Sequence, residues 1–149
     1  MSFQAKRALA SLIAIWISAA GYAGSVLRSW PQTPGEAALS IVTAAIGLTV
    51  LMILMNILLA IITGAEEARR PLDEAGRLIA LEAGRNASLV VGLGLFLAGA
   101  LALLSMPSVL IAQAAMAALL LAEIVRYTSQ LISCGRASYM AARAANSGV

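Results

Sequence analysis

Residues 37–63 read AALSIVTAAIGLTVLMILMNILLAIIT, and this stretch decides the architecture. It holds no Asp, Glu, Lys or Arg. It is longer than the roughly 20 apolar residues that a helix needs to cross the hydrocarbon core of a bilayer. Lipid offers no hydrogen-bond partners, so a crossing segment must satisfy its own backbone, as a helix does. Three further runs share this character: Ala8 to Leu27, Ala87 to Ser105 and Val109 to Ile132. The sequence therefore predicts an all-α membrane protein, a four-transmembrane-helix bundle, with residues 1–149 forming a single integral membrane domain.

Composition agrees with that solvent. The hydrophobic fraction is 61% and the charged fraction only 11%, against about 25% charged in a soluble domain. Mean hydropathy is +0.91. The net charge of +3 does not point to direct nucleic-acid binding. Such a site needs clustered bases on one solvated face, whereas the longest basic run here is Arg69-Arg70 with acids around it. There is no histidine, which removes the commonest metal ligand and the commonest general base. No cofactor, metal site or catalytic set is expected, and the protein reads as a non-enzyme. The lone Cys134 allows no internal disulfide and suits a reducing compartment. The apolar run after Lys6 and Arg7 exceeds the 7–15 residues of a signal-peptide core, so it reads as the first span.

Basic residues set the orientation. Lys6 and Arg7 precede span 1; Arg69, Arg70, Arg77 and Arg85 lie between spans 2 and 3; Arg136 and Arg143 follow span 4. Only Arg28 lies on the other side. The positive-inside rule then predicts both termini and the middle connection in the cytoplasm. The first outer loop, Arg28 to Glu36, carries Trp30 at headgroup level and the helix-stopping Pro31 and Pro34. The second is a tight turn at Met106-Pro107-Ser108.

The middle connection, Gly64 to Asn86, is the only substantial polar segment, and it predicts a helical cytoplasmic hairpin. Pro71 suits a first helical turn, and Glu66–Arg70 and Asp73–Arg77 are spaced four apart in the favourable order. Span 2 is expected to continue to about Arg70, and a new helix to start at Pro71 and run into span 3.

Within the spans, Glu123 is the sharpest feature. It lies roughly 20 Å below the outer end of span 4 at 1.5 Å per residue, with Arg126 one turn further on. Asn56 in span 2 lies at a similar depth of about 25 Å. Glu123, Asn56, Arg126, Tyr127 and Gln130 are therefore expected to share one intramembrane polar patch. Intramembrane acids are costly and often functional. The plain alternative is an ion pair that snorkels to the interface plus an Asn that joins helices. Small residues at four-residue spacing (Gly21 and Ser25, Ala20 and Gly24, Gly84 with Ser88 and Gly92, Gly94 with Ala98 and Ala102) predict close helix packing. Gly92, Gly94 and Gly99 sit mid-span with no preceding strand, which excludes a dinucleotide fingerprint.

The segment Asp73-Glu74-Ala75-Gly76-Arg77-Leu78-Ile79, with Glu82, Gly84 and Arg85, resembles a family of small four-span prokaryotic membrane proteins of unknown function. The stretch Ala122-Glu123-Ile124-Val125-Arg126, followed by Gln130-Leu131, looks like that family's closing helix. The genes of that family often accompany small helix-turn-helix regulators. The resemblance implies a cytoplasmic hairpin that holds such a regulator at the membrane.

Two functions follow as expectations. In the first, the hairpin binds a partner protein through Arg69, Arg70, Asp73, Glu74, Arg77 and Arg85, and anchors or sequesters a small transcription regulator. In the second, a homo-oligomer of the chain forms a proton- or cation-linked transporter or channel that uses Glu123.

Overall fold

The computed structural model describes residues 3–64 and 74–146. Its four helices are α1 (Phe3–Arg28), α2 (Pro34–Thr63), α3 (Glu74–Leu103) and α4 (Ser108–Asn146). All four are long and apolar enough to cross a membrane. Three of the four predicted spans fall wholly inside a helix, and the third overruns its helix by two residues.

The bundle is open. α1 and α4 form the inner pair, α2 packs on α1 and touches α4 lightly, and α3 packs chiefly on α4. α1 and α4 run antiparallel, since Gln4 meets Cys134 at one end and Tyr22 meets Gln113 towards the other. We call the end with Phe3, Glu74 and Asn146 the terminal end, and the end with residues 29–33 and 104–107 the loop end. The core is small: Tyr22, Met116 and Leu120 pack with Ala19, Val26, Ile41, Ala44 and Leu48. Along α2 only Ala37 is buried, and Leu39, Val42, Ile46, Val50, Ile53, Ile57 and Ile61 all face outwards. A helix that is apolar all round belongs inside a large core or in lipid. In water such a surface would far exceed the few hundred Å² of apolar patch that soluble monomers tolerate.

Local chemistry fixes the ends. Thr33 caps α2: its hydroxyl accepts from the Glu36 N–H at 3.4 Å, while the Glu36 carboxylate accepts from the Thr33 N–H at 2.8 Å. This is a reciprocal capping box, with Pro34 just inside the helix. These backbone and hydroxyl donors hold the exposed Glu36 carboxyl below its usual range. At the α3–α4 turn, Ser105 takes the left-handed conformation (φ 54°). The Met106 N–H then reaches the Leu101 carbonyl at 3.1 Å, and the Ser105 N–H the Ala102 carbonyl at 3.0 Å. That pairing is a Schellman motif and satisfies carbonyls the helix end would leave unbonded.

Two expectations are corrected. α2 does not continue to about Arg70. It ends at Thr63, because Gly64 adopts a non-helical conformation with φ 89°, which glycine reaches without steric cost. The predicted start at Pro71 and the pairs Glu66–Arg70 and Asp73–Arg77 involve residues 65–73, outside the described residues. Close packing through small residues also holds for only one of the four sets. A Cβ on Gly94 would lie 2.1 Å from the Cβ of Ala118, so α3 and α4 approach here as only glycine allows. Gly21, Gly24, Gly84 and Gly92 have nothing within 4 Å of where a Cβ would sit. Gly21 and Gly84 border open grooves instead.

Candidate functional site

α4 carries two polar zones about three turns apart, and each reaches other helices. The terminal-side zone centres on Glu123 and Arg126, whose side chains pair at 3.6 Å. Their three-residue spacing puts both on one helix face. The guanidinium also lies 5.7 Å from the centroid of the Tyr127 ring, within cation–π range. Glu123 and Arg126 stay 39% and 45% exposed, so the pair is not sealed inside the protein.

Three hollows meet at Arg126. One, of about 530 Å³, lies between α1, α2 and α4 and is lined by Asn56, Glu123, Arg126, Tyr127, Ile15 and Met52, among others. The structure thus brings together four of the five residues of the expected patch. Asn56 does not bond to Glu123 here; its amide donates to the Met52 carbonyl at 2.7 Å. Gln130, the fifth, lines a neighbouring hollow of about 260 Å³ with Gln4, Arg7, Arg126, Tyr127 and Cys134. The third, about 380 Å³, lies between α3 and α4 and borders Glu123 and Arg126 beside Gly84 and Ser88.

Of the expected partner-binding residues, Glu74, Arg77 and Arg85 are exposed on the first turns of α3. Gly76, Ala83 and Ala87 of the same helix are buried. Arg69, Arg70 and Asp73 lie outside the described residues. α4 adds a feature that the sequence reading did not single out. Arg136, Tyr139, Met140 and Arg143 are all exposed, and their spacing of three, four and seven residues lines them along one face.

The loop-side zone was missed by sequence reasoning altogether. The Tyr22 hydroxyl donates to the Gln113 carbonyl oxygen, and the Gln113 amide donates to the Gln32 carbonyl oxygen at 2.6 Å. The Gln32 amide then donates to the Ser29 hydroxyl at 2.8 Å. Ser29 donates to the Ser25 carbonyl at 2.8 Å, and Ser25 to the Tyr22 carbonyl at 2.7 Å. The chain of bonds fastens α1, the first loop and α4. Beside it a groove of about 470 Å³ runs between α1 and α2, lined by Ser18, Gly21, Ser25, Ser40, Thr43 and Gly47 among others. The signal was present: Gln113 and Tyr22 lie at matching distances from the loop end, as Asn56 and Glu123 do at greater depth.

Among the described residues no group of three or more His, Cys, Asp or Glu is placed to hold a metal ion. No protein-family model, curated protein or solved structure matches the chain.

Proposed function

We infer that the protein is a non-enzymatic multi-pass protein of a prokaryotic inner membrane whose terminal end faces the cytoplasm and docks a partner protein. The observation that carries this is helix length. α4 runs 39 residues and α3 30. At 1.5 Å per residue these are about 58 and 45 Å long, well beyond a hydrocarbon core of about 30 Å. The loop-end turns are short, so the excess projects from the terminal end as two helices. Those projections display Glu74 and Arg77 on α3, with Arg85 at the base of its projection, and Arg136, Tyr139, Met140 and Arg143 on α4. Charged residues steer encounter and fix register; exposed Tyr and Met are residue types enriched at interface centres. The resemblance of residues 73–85 and 122–131 described above favours a small transcription regulator as the partner, anchored or sequestered at the membrane. Charge reversal of Asp73, Glu74 and Arg77 is expected to abolish co-purification of that partner and leave membrane abundance unchanged. Partner recovery at the wild-type level would refute the docking role.

A second reading is favoured by the hollow that Asn56 shares with Glu123, Arg126 and Tyr127. In that reading the chain is a proton- or cation-linked transporter or channel. Its open bundle requires assembly into a homo-oligomer. Glu123→Gln is then expected to change proton- or cation-linked flux in liposomes, and unchanged flux would remove this reading.

A further inference from the structure

The hollow of about 260 Å³ between the terminal ends of α1, α3 and α4 has a chemistry that neither functional reading uses. Arg7 and Gln4 come to it from α1, and Arg126, Tyr127 and Gln130 from α4, while Gly76, Ile79 and Ala80 of α3 close one side. Among the described residues no carboxylate lines it. Two guanidinium groups, two side-chain amides and a phenol make it rich in donors, and Arg presents a planar fork that matches phosphate oxygens. Its volume falls just below the 300–1,000 Å³ of sites that engulf whole drug-sized ligands. It suits a headgroup-sized anion.

We propose that this hollow binds the phosphate ester of an anionic phospholipid from the adjacent leaflet. Depth favours a lipid over a soluble phosphate, and here the site presupposes the embedded orientation proposed above. Tyr127 to Cys134 lie about 30–40 Å along α4 from Ser108, and Arg7 about 30 Å along α1 from Arg28, at 1.5 Å per residue. A hydrocarbon core of about 30 Å therefore ends where the hollow begins, at the headgroup layer. Basic pockets between spans on the cytoplasmic side hold anionic headgroups in this way. The apolar part of the lining, Phe3, Ile79 and Ala80, suits the start of a lipid's glycerol and acyl region. Glu123 gives the site a built-in competitor. It holds Arg126 at 3.6 Å but borders the other two hollows, so it draws the guanidinium away from this one.

The test uses the full chain in nanodiscs of phosphatidylcholine containing a minor fraction of phosphatidylglycerol, with bound lipid counted by native mass spectrometry. The wild type is expected to retain phosphatidylglycerol in preference to phosphatidylcholine. Arg7→Gln and Arg126→Gln are each expected to lower that preference about fivefold. Glu123→Gln is expected to raise it. Lys6→Gln, which removes the same charge beside the hollow but not from its lining, is expected to leave it unchanged. A parallel arm adds inorganic phosphate to lipid-stripped protein and reads thermal stability. Stabilisation that depends on Arg7 and Arg126, without lipid selection, would keep the phosphate site and overturn its lipid source. No selection by the wild type and no response to phosphate would overturn the site. So would an equal loss from Lys6→Gln and Arg126→Gln, which would mean diffuse surface attraction. The wild-type arms need no variant to fold. Failure to enter nanodiscs at all would strike the embedded orientation before any lipid is counted.

Discussion

At the loop end, Tyr22, Gln113, Gln32 and Ser29 join two helices and a turn through neutral groups whose hydrogen bonds are made within the protein. At the terminal end, Glu123, Arg126 and Arg7 bring formal charges to hollows that stay open, and the one salt bridge among the described residues leaves both partners more than a third exposed. A closed neutral network fastens helices. An open charged cluster is poorly suited to that, because an i,i+3 ion pair adds only about 0.2–0.5 kcal/mol. It is well suited to meeting something from outside. The same helix therefore carries a bonded neutral network at one end and an open charged cluster at the other.

The two zones lose their separate characters most completely if α3 leaves α4. Gly94 sits against Ala118, which lies on α4 between Gln113 and Glu123. Gly94→Leu is expected to destabilise the fold by about 3 kcal/mol or more through overpacking, read as a lowered unfolding midpoint in detergent. A neutral effect would mean that α3 is not seated there.

Gln113→Ala removes two long-range bonds, one to Tyr22 of α1 and one to Gln32 of the first loop, and interhelical hydrogen bonds are worth about 0.6 kcal/mol each on average in membranes and up to about 1.7. A loss of about 1–2 kcal/mol in unfolding free energy is expected, with phosphatidylglycerol retention unchanged. Arg126→Gln is expected to do the reverse, changing stability by no more than about 0.5 kcal/mol while lipid retention falls. If each variant moved both readouts equally, the two zones would not be distinct.

Smaller effects sharpen the loop end. Ser105 holds a left-handed conformation that glycine adopts freely, so Ser105→Gly is expected to stabilise by about 0.5–1 kcal/mol, visible in thermal melts. The Glu36 carboxyl is held below its usual range by donors from Thr33. Its contribution to stability is therefore present above the usual carboxylate range and lost as pH falls through the lowered value. Glu36→Gln is expected to remove that part of the acid dependence of the melting temperature. Because the group is fully exposed, the effect is the smallest of the set.

The four helices were legible because apolar length is a strong signal: residues 37–63 admit no other structure in lipid. Their caps were half legible. Pro34 marks the start of α2, but its end at Thr63 is not legible, because a glycine does not by itself end a helix and only the φ of 89° at Gly64 shows that this one does. The grouping of Asn56 with Glu123 came from counting residues down each span. The same count would have paired Tyr22 with Gln113, but neutral amides in an Ala- and Leu-rich run drew no notice beside an acid. The 260 Å³ hollow was not legible at all. It depends on α1 and α4 running side by side, so that Gln4 and Arg7 reach Gln130 and Arg126, and nothing in either run alone specifies that neighbour.

The proposed docking and the proposed lipid binding both require helices that cross lipid with the terminal end inside the cell. Alkaline phosphatase fused at Gln32 and, separately, after Val149 tests this directly. An active enzyme is expected at Gln32 and an inactive one at the carboxyl end. An active carboxyl-terminal fusion with a silent one at Gln32 would reverse the orientation and remove both the docking role and the lipid site.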